Sequence, residues 1–172
     1  MAGESVRIGE QRYRERFGRY FEDFAVGDVY EHRPGRTISE ADNTWFTLLT
    51  MNQHPIHFDA EYAKHTEFGK PLVVSTLTLS ILVGMSVSDT SQKAIANLGW
   101  REIKLPRPVF AGDTLYAEST VLDKRESESR PEQGIVTVRT IGKNQHGEVI
   151  CEFERTMLVM KRGHPLEERA GY

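Results

Sequence analysis

Between Thr50 and Asp59 the sequence TMNQHPIHFD gathers two histidines, an asparagine and an aspartate around one proline. An imidazole exchanges protons near neutral pH, a carboxamide orients water through both a donor and an acceptor, and a proline-set turn aims them. These are the parts needed to add water to an activated double bond or to remove it. Taken alone the segment stays ambiguous, because histidines in turns are also common as hydrogen-bonded structural residues. A zinc site on His54 and His57 is the weaker reading, since the pair straddles a proline and has no third ligand in a recognisable pattern. No metal is expected.

The flanking sequence supplies elements to hold these groups. Ser39 is a candidate N-cap for a helix from Glu40 to about Met51, with Trp45, Phe46, Leu48 and Leu49 on its apolar side. His54-Pro55 ends it, because the residue before a proline is pushed out of helical geometry. Asp59 is placed to cap a second short helix, and Phe68-Gly-Lys-Pro71 reads as a turn. Leu72 to about Ser88 is apolar but threaded with small hydroxyl residues, which predicts a central helix surrounded by sheet, starting near Ser75. It falls short of a membrane span. Strands are predicted over 94–105, 114–124, 134–143 and 149–161, with 144–147 as a hairpin turn. An extended segment runs from Gly27-Asp28 to His32 and is expected to break at Pro34-Gly35. Helices followed by strands define an α+β domain. Residues 1–19 are charged and aperiodic, so a tail or an arm on a neighbouring subunit is expected there, and 163–172 reads as a C-terminal tail.

The 172 residues suit one domain with its own core. A formal charge of -3 gives no general attraction to nucleic acid or to an anionic membrane surface. Cys151 is the single cysteine, alternating in a strand pattern, and is expected to be a half-buried thiol and not a nucleophile. The N-terminal residues mix both charge signs without an apolar stretch, so a cytoplasmic location is expected.

The order of these motifs resembles the MaoC-like hydratases, which include the R-specific enoyl-CoA hydratases. In that family a helix leads into Gly-Asp-x-Asn-Pro-[hydrophobic]-His-x-Asp, matched here at Pro55, Ile56, His57 and Asp59. The lead-in Thr37-Ile-Ser-Glu-Ala-Asp42, the Tyr62-Ala63 and Phe68–Val73 segments, and Arg107-Pro-Val-Phe-Ala-Gly-Asp-Thr-Leu115 follow in family order. The resemblance covers roughly 21–160 and implies a hot-dog domain over 20–162, in which a curved antiparallel sheet wraps one helix. It further implies an acyl-CoA thioester as substrate, no separate cofactor, and a homodimer or dimer-based homo-oligomer.

Two departures fall in the site. Asn52 stands where the family has its catalytic aspartate, and His54 where it has asparagine. An amide cannot donate and recover a proton, so Asn52 is expected to orient water or substrate while His57 alone carries the proton, which implies syn addition. Val74-Ser75 replaces the family's His-Gly at the helix start. A backbone N–H at Ser75 remains suited to polarising the thioester carbonyl, with an ordinary helix cap as the equal alternative. His54, Val74 and Arg107 are the candidate substrate contacts, with Lys104 and Lys124 as further cations for CoA phosphates and Phe110 as a channel or core residue. Trp45, Phe46 and Met51 crowding the site, together with nearby arginines, favour a short, branched or dicarboxylic acyl group, and the asparagine resembles the mesaconyl-CoA or itaconyl-CoA branch. The alternatives are a hot-dog thioesterase using Asp59, and a non-catalytic acyl-CoA-binding subunit.

Overall fold

The computed structural model describes residues 4–171, and the second half of the chain forms four long strands where the period-two pattern puts them. These are β4 (Ala94–Lys104), β5 (Thr114–Glu126), β6 (Gln133–Lys143) and β7 (Val149–Met160). With β3 (Val29–Thr37) they make a five-stranded antiparallel sheet in the order β3-β5-β6-β7-β4. Register shifts in β3, β4 and β5 bend the sheet, as bulges do. The expected break at Pro34-Gly35 is one of them. The strand continues through it, His32 pairing with Ala117 and Arg36 with Leu115, so the chain bulges and does not stop.

Three α-helices lie between β3 and β4: α1 (Glu40–Thr50), α2 (Ala60–Lys64) and α3 (Ser75–Met85). Ser39 caps α1 in a reciprocal box with Asp42, and Asp59 caps α2, as their sequence positions predict. α3 lies on the sheet, its Leu77 and Leu82 packing with Ile38, Val109, Leu115, Ala117, Ile150, Cys151 and Phe153. A β-carbon on Gly142 would come within 2.4 Å of Leu82, so the helix sits directly on bare β6 backbone. This is the α+β hot-dog arrangement that the resemblance implied. A second cluster at the other end joins Phe21 and Phe24 to Val121, Val136, Val138, Met157 and Val159.

Two expectations need correction. Only one side of α3 is buried: Leu77, Thr78 and Leu82 face the sheet, while Ser75, Thr76, Ser80 and Gly84 are exposed. The apolar side of α1 faces outward, with Trp45, Leu48, Leu49 and Met51 between 66% and 80% exposed, and the helix buries Asn43 and Thr47 instead. Within the aperiodic N-terminal segment, β1 (Glu4–Gly9) and β2 (Arg12–Arg16) form an exposed hairpin. The C-terminal residues also have structure, since α4 (Pro165–Ala170) is held through Glu167 by Lys93 and the Tyr20 hydroxyl.

Candidate functional site

The stretch from α1 to α3 is knitted together by one side chain. Asn43, on the inner side of α1 and 4% exposed, donates through Nδ2 to the carbonyls of His57 (2.7 Å) and Leu72 (3.1 Å). Its Oδ1 accepts the Val74 N–H at 2.9 Å. Leu72 is also paired through its own N–H to the Ile56 carbonyl, and Val73 donates to the Val109 carbonyl. The histidine turn, the start of α3 and the turn before β5 are thereby fixed to one another. Sequence reading missed Asn43, because the apolar stripe of α1 marks the opposite, outward side of the helix.

His57 closes a 3-10 turn over Pro55–His57 and is half-buried. Its Nδ1 lies 2.8 Å from the Leu72 carbonyl oxygen. A carbonyl can only accept, so the proton resides on Nδ1 and the lone pair on Nε2. In the neutral ring this contact leaves Nε2 able to accept a hydrogen bond. The histidine lines a cavity of about 240 Å³ with Asn43, Thr44, Phe58, Lys70 and Phe110.

The other predicted residues are distributed around this cavity. Ser75 and Arg107 share a separate hollow of about 240 Å³ lined also by Leu72 and Val73, while Pro71 lines that of His57. At the first turn of α3 the Ser75 and Thr76 N–H groups are those an α-helix leaves without an internal partner. Asn52 lines a third hollow, which shares Thr44 and Phe58 with that of His57, so the two are adjacent but do not meet in one cavity. Its Oδ1 accepts from the His54 N–H at 3.2 Å, leaving Nδ2 to act. His54 is exposed, its Nδ1 accepts from the Ile56 N–H, and its ring stands edge-on to that of His57 at 5.9 Å. Val74 is buried, its side chain in the core and its N–H taken by Asn43. Lys104 pairs with Glu102 and Glu152. Lys124 is far from the site, donating to the Phe24 carbonyl at 2.7 Å. Trp45 and Met51 point outward and do not crowd the histidine.

Two other groups have the chemistry but not the access. His32 stands between Asp89 (Nδ1 to Oδ2, 2.9 Å) and Ser119 (Nε2 to Oγ, 2.7 Å), the order of a nucleophile triad. Both His32 and Ser119 are 0% exposed, so no substrate reaches that serine. Ser119 continues to Thr140, and the buried Arg155 guanidinium bonds Ser86 and Thr90 beyond the end of α3. Burial pushes the Cys151 thiol up to about 11, which excludes a thiolate nucleophile at neutral pH. Among the described residues no cluster of three or more His, Cys, Asp or Glu side chains could hold a metal, and no helix is long and apolar enough to cross a membrane.

Comparison with known proteins agrees with this architecture. A MaoC domain protein dehydratase from Chloroflexus aurantiacus superposes with a TM-score of 0.81 at 34% identity, over 84% of this chain and 41% of that one. The (R)-specific enoyl-CoA hydratase of Rhodospirillum rubrum is 31% identical over 147 residues, covering 84% of this chain and 94% of its own length. Fold and sequence together define a MaoC-like hot-dog protein. Residues 7–171 match the family model described as mesaconyl-CoA hydratase, and the chain belongs to that family. The mesaconyl-CoA hydratase of Cereibacter sphaeroides is 37% identical over 145 residues, 84% of this chain. The chain spans only 42% of that relative's length.

Proposed function

We propose that the chain is a hydratase/dehydratase that reversibly adds water to a short, branched or dicarboxylic enoyl-CoA. The observation that supports this reading is the 2.8 Å contact of His57 Nδ1 with the Leu72 carbonyl in a histidine that lines a small cavity. In this reading the β-carbon of the thioester lies at His57 and its carbonyl oxygen is directed toward the Ser75 N–H. Nε2 takes a proton from water as the oxygen bonds to the β-carbon. The enolate oxygen is stabilised by the Ser75 N–H at the positive end of α3. His57 then returns the proton to the α-carbon on the same face, giving syn addition. Asn52 Nδ2 orients water or substrate, His54 borders the entrance, and Arg107 meets the CoA portion. No cofactor beyond the CoA carried by the substrate is needed.

We further propose a cytoplasmic enzyme that works as a homodimer. β4 is an edge strand, and its Ile95, Leu98, Trp100 and Ile103 are 37–52% exposed. An open edge carrying large apolar side chains is a pairing surface, and a second copy covers it symmetrically.

A panel of crotonyl-CoA, mesaconyl-CoA and itaconyl-CoA tests the reaction class by loss of enoyl-thioester absorbance, with free thiol followed in parallel. Absorbance loss without thiol release is expected. Thiol release alone would make the protein a thioesterase, although the Asp59 carboxylate that reading needs is engaged at 3.0 Å with the Tyr62 N–H. Binding without either signal would make it a non-catalytic acyl-CoA carrier.

A further inference from the structure

The wall of the His57 cavity carries an exposed cation with no ion-pair partner among the described residues. Lys70 lies on its wall with Nζ 4.2 Å from the centroid of the Phe110 ring, and it makes no ion pair. Other cations at this end are engaged: Arg36 with Asp42 (2.7 Å), Lys64 with Glu61 (2.5 Å) and Arg107 with Glu148 (3.7 Å). Both arginines are therefore paired, and Arg107 lines the Ser75 hollow instead of the His57 cavity.

We propose that Lys70 recognises a carboxylate carried on the β-carbon of the enoyl group and so makes the site selective for dicarboxylic over simple enoyl thioesters. The inference rests on the hydratase reading. Hydration attaches oxygen to the β-carbon, and in an enedioic thioester the second carboxylate is bonded to that same carbon. The cation that reads it must then lie beside the histidine that activates water, and Lys70 shares His57's cavity. The Phe110 face holds the ammonium in place without cancelling its charge. Glu40, the one carboxylate lining the cavity, repels an incoming acyl carboxylate and directs it toward Lys70. A bound acyl group expels water from the cavity and lowers the local dielectric, so a pair that is weak in solvent becomes selective. At about 240 Å³ the cavity is smaller than the roughly 300–1,000 Å³ of sites that enclose whole drug-sized ligands. It takes the acyl head and leaves the CoA outside, so Lys70 is positioned to read the acyl group.

The test compares kcat/KM for mesaconyl-CoA and crotonyl-CoA in wild type, Lys70→Met, Lys70→Gln and Lys70→Arg. Loss of one charge-assisted contact lowers the mesaconyl-to-crotonyl ratio by about 10- to 100-fold in the Met and Gln variants, and Arg restores most of it. An unchanged ratio, whether both rates fall together or neither falls, overturns the proposal, because a lysine on a CoA phosphate or in a structural role affects both substrates alike. Wild type that hydrates crotonyl-CoA but not mesaconyl-CoA also overturns it while leaving the hydratase reading intact. Wild type that hydrates neither removes the reading on which the proposal rests.

Discussion

At His57 the tautomer is set by the Leu72 carbonyl, which accepts the Nδ1 proton and leaves Nε2 free. Asn43 sets the position of that carbonyl and of His57's own backbone with three hydrogen bonds. Replacing Asn43 by alanine removes its partner from the His57 carbonyl and the buried Val74 N–H, and leaves the Leu72 carbonyl with His57 alone. We expect a loss of about 2–4 kcal/mol in unfolding free energy, together with a fall in kcat from a displaced base; a urea titration and the hydration assay read the two effects. A full-strength hydratase in a stable Asn43→Ala variant would refute the positioning role. His57 was legible in the sequence because its type, the proline two residues before it and the motif order converge on it. Asn43 and Lys70 were not, because their importance comes from partners 14 to 31 residues away and from a cavity that only the folded chain encloses.

Among the elements, those specified by local chemistry appeared where the pattern placed them. Ser39 and Asp59 cap their helices, and the Asn144–Gly147 turn closes through the Gly147 N–H to the Asn144 carbonyl. What the pattern could not supply was the direction each apolar face takes. Trp45, Leu48 and Leu49 mark a real stripe on α1, but it points outward because Asn43 and Thr47 hold the opposite side against the site. In the β1-β2 hairpin only Val6 and Ile8 alternate, and they are 43% and 44% exposed, so the run is too short to carry a period-two signal. The seating of α3 on β6 depends on Gly142, where any side chain strikes Leu82. Gly142→Ala is expected to lift the helix at a cost of about 1–3 kcal/mol, seen as a lower denaturation midpoint and a weaker Ser75-dependent step. An unchanged midpoint would show that α3 is not held at that point.

For the whole molecule, the exposed β4 edge and the outward face of α1 predict association. Sedimentation at micromolar concentration should give a dimer, and Trp100→Glu, which places a charge on β4, should shift it toward monomer; a wild-type monomer would contradict the proposed pairing. The buried network also makes stability depend on pH. Burial, outweighing the attraction of Asp89, holds the His32 pKa below its ordinary 6.5, with Arg155 and Arg19 adding to the depression. The unfolded chain therefore binds a proton that the folded chain refuses once the pH drops below about 6.5. This contribution is fully present above that pH and is lost below it, with a slope of at most about 1.4 kcal/mol per pH unit. Asp42 and Glu167, both held below their ordinary values, contribute at higher pH and lose their contribution only in the carboxylate range. Denaturation midpoints from pH 7.5 to 5 should fall in wild type and flatten in His32→Asn, and equal slopes would exclude His32 as the source.

Everything functional in this account depends on His57 acting as the base, so the most direct test is the initial rate of enoyl-thioester hydration in wild type and His57→Ala. The geometry predicts measurable hydration by wild type and a loss of about 10²- to 10⁴-fold in kcat/KM on removal of the imidazole, with the fold retained by circular dichroism. Hydration that survives in a folded His57→Ala protein would contradict the assignment.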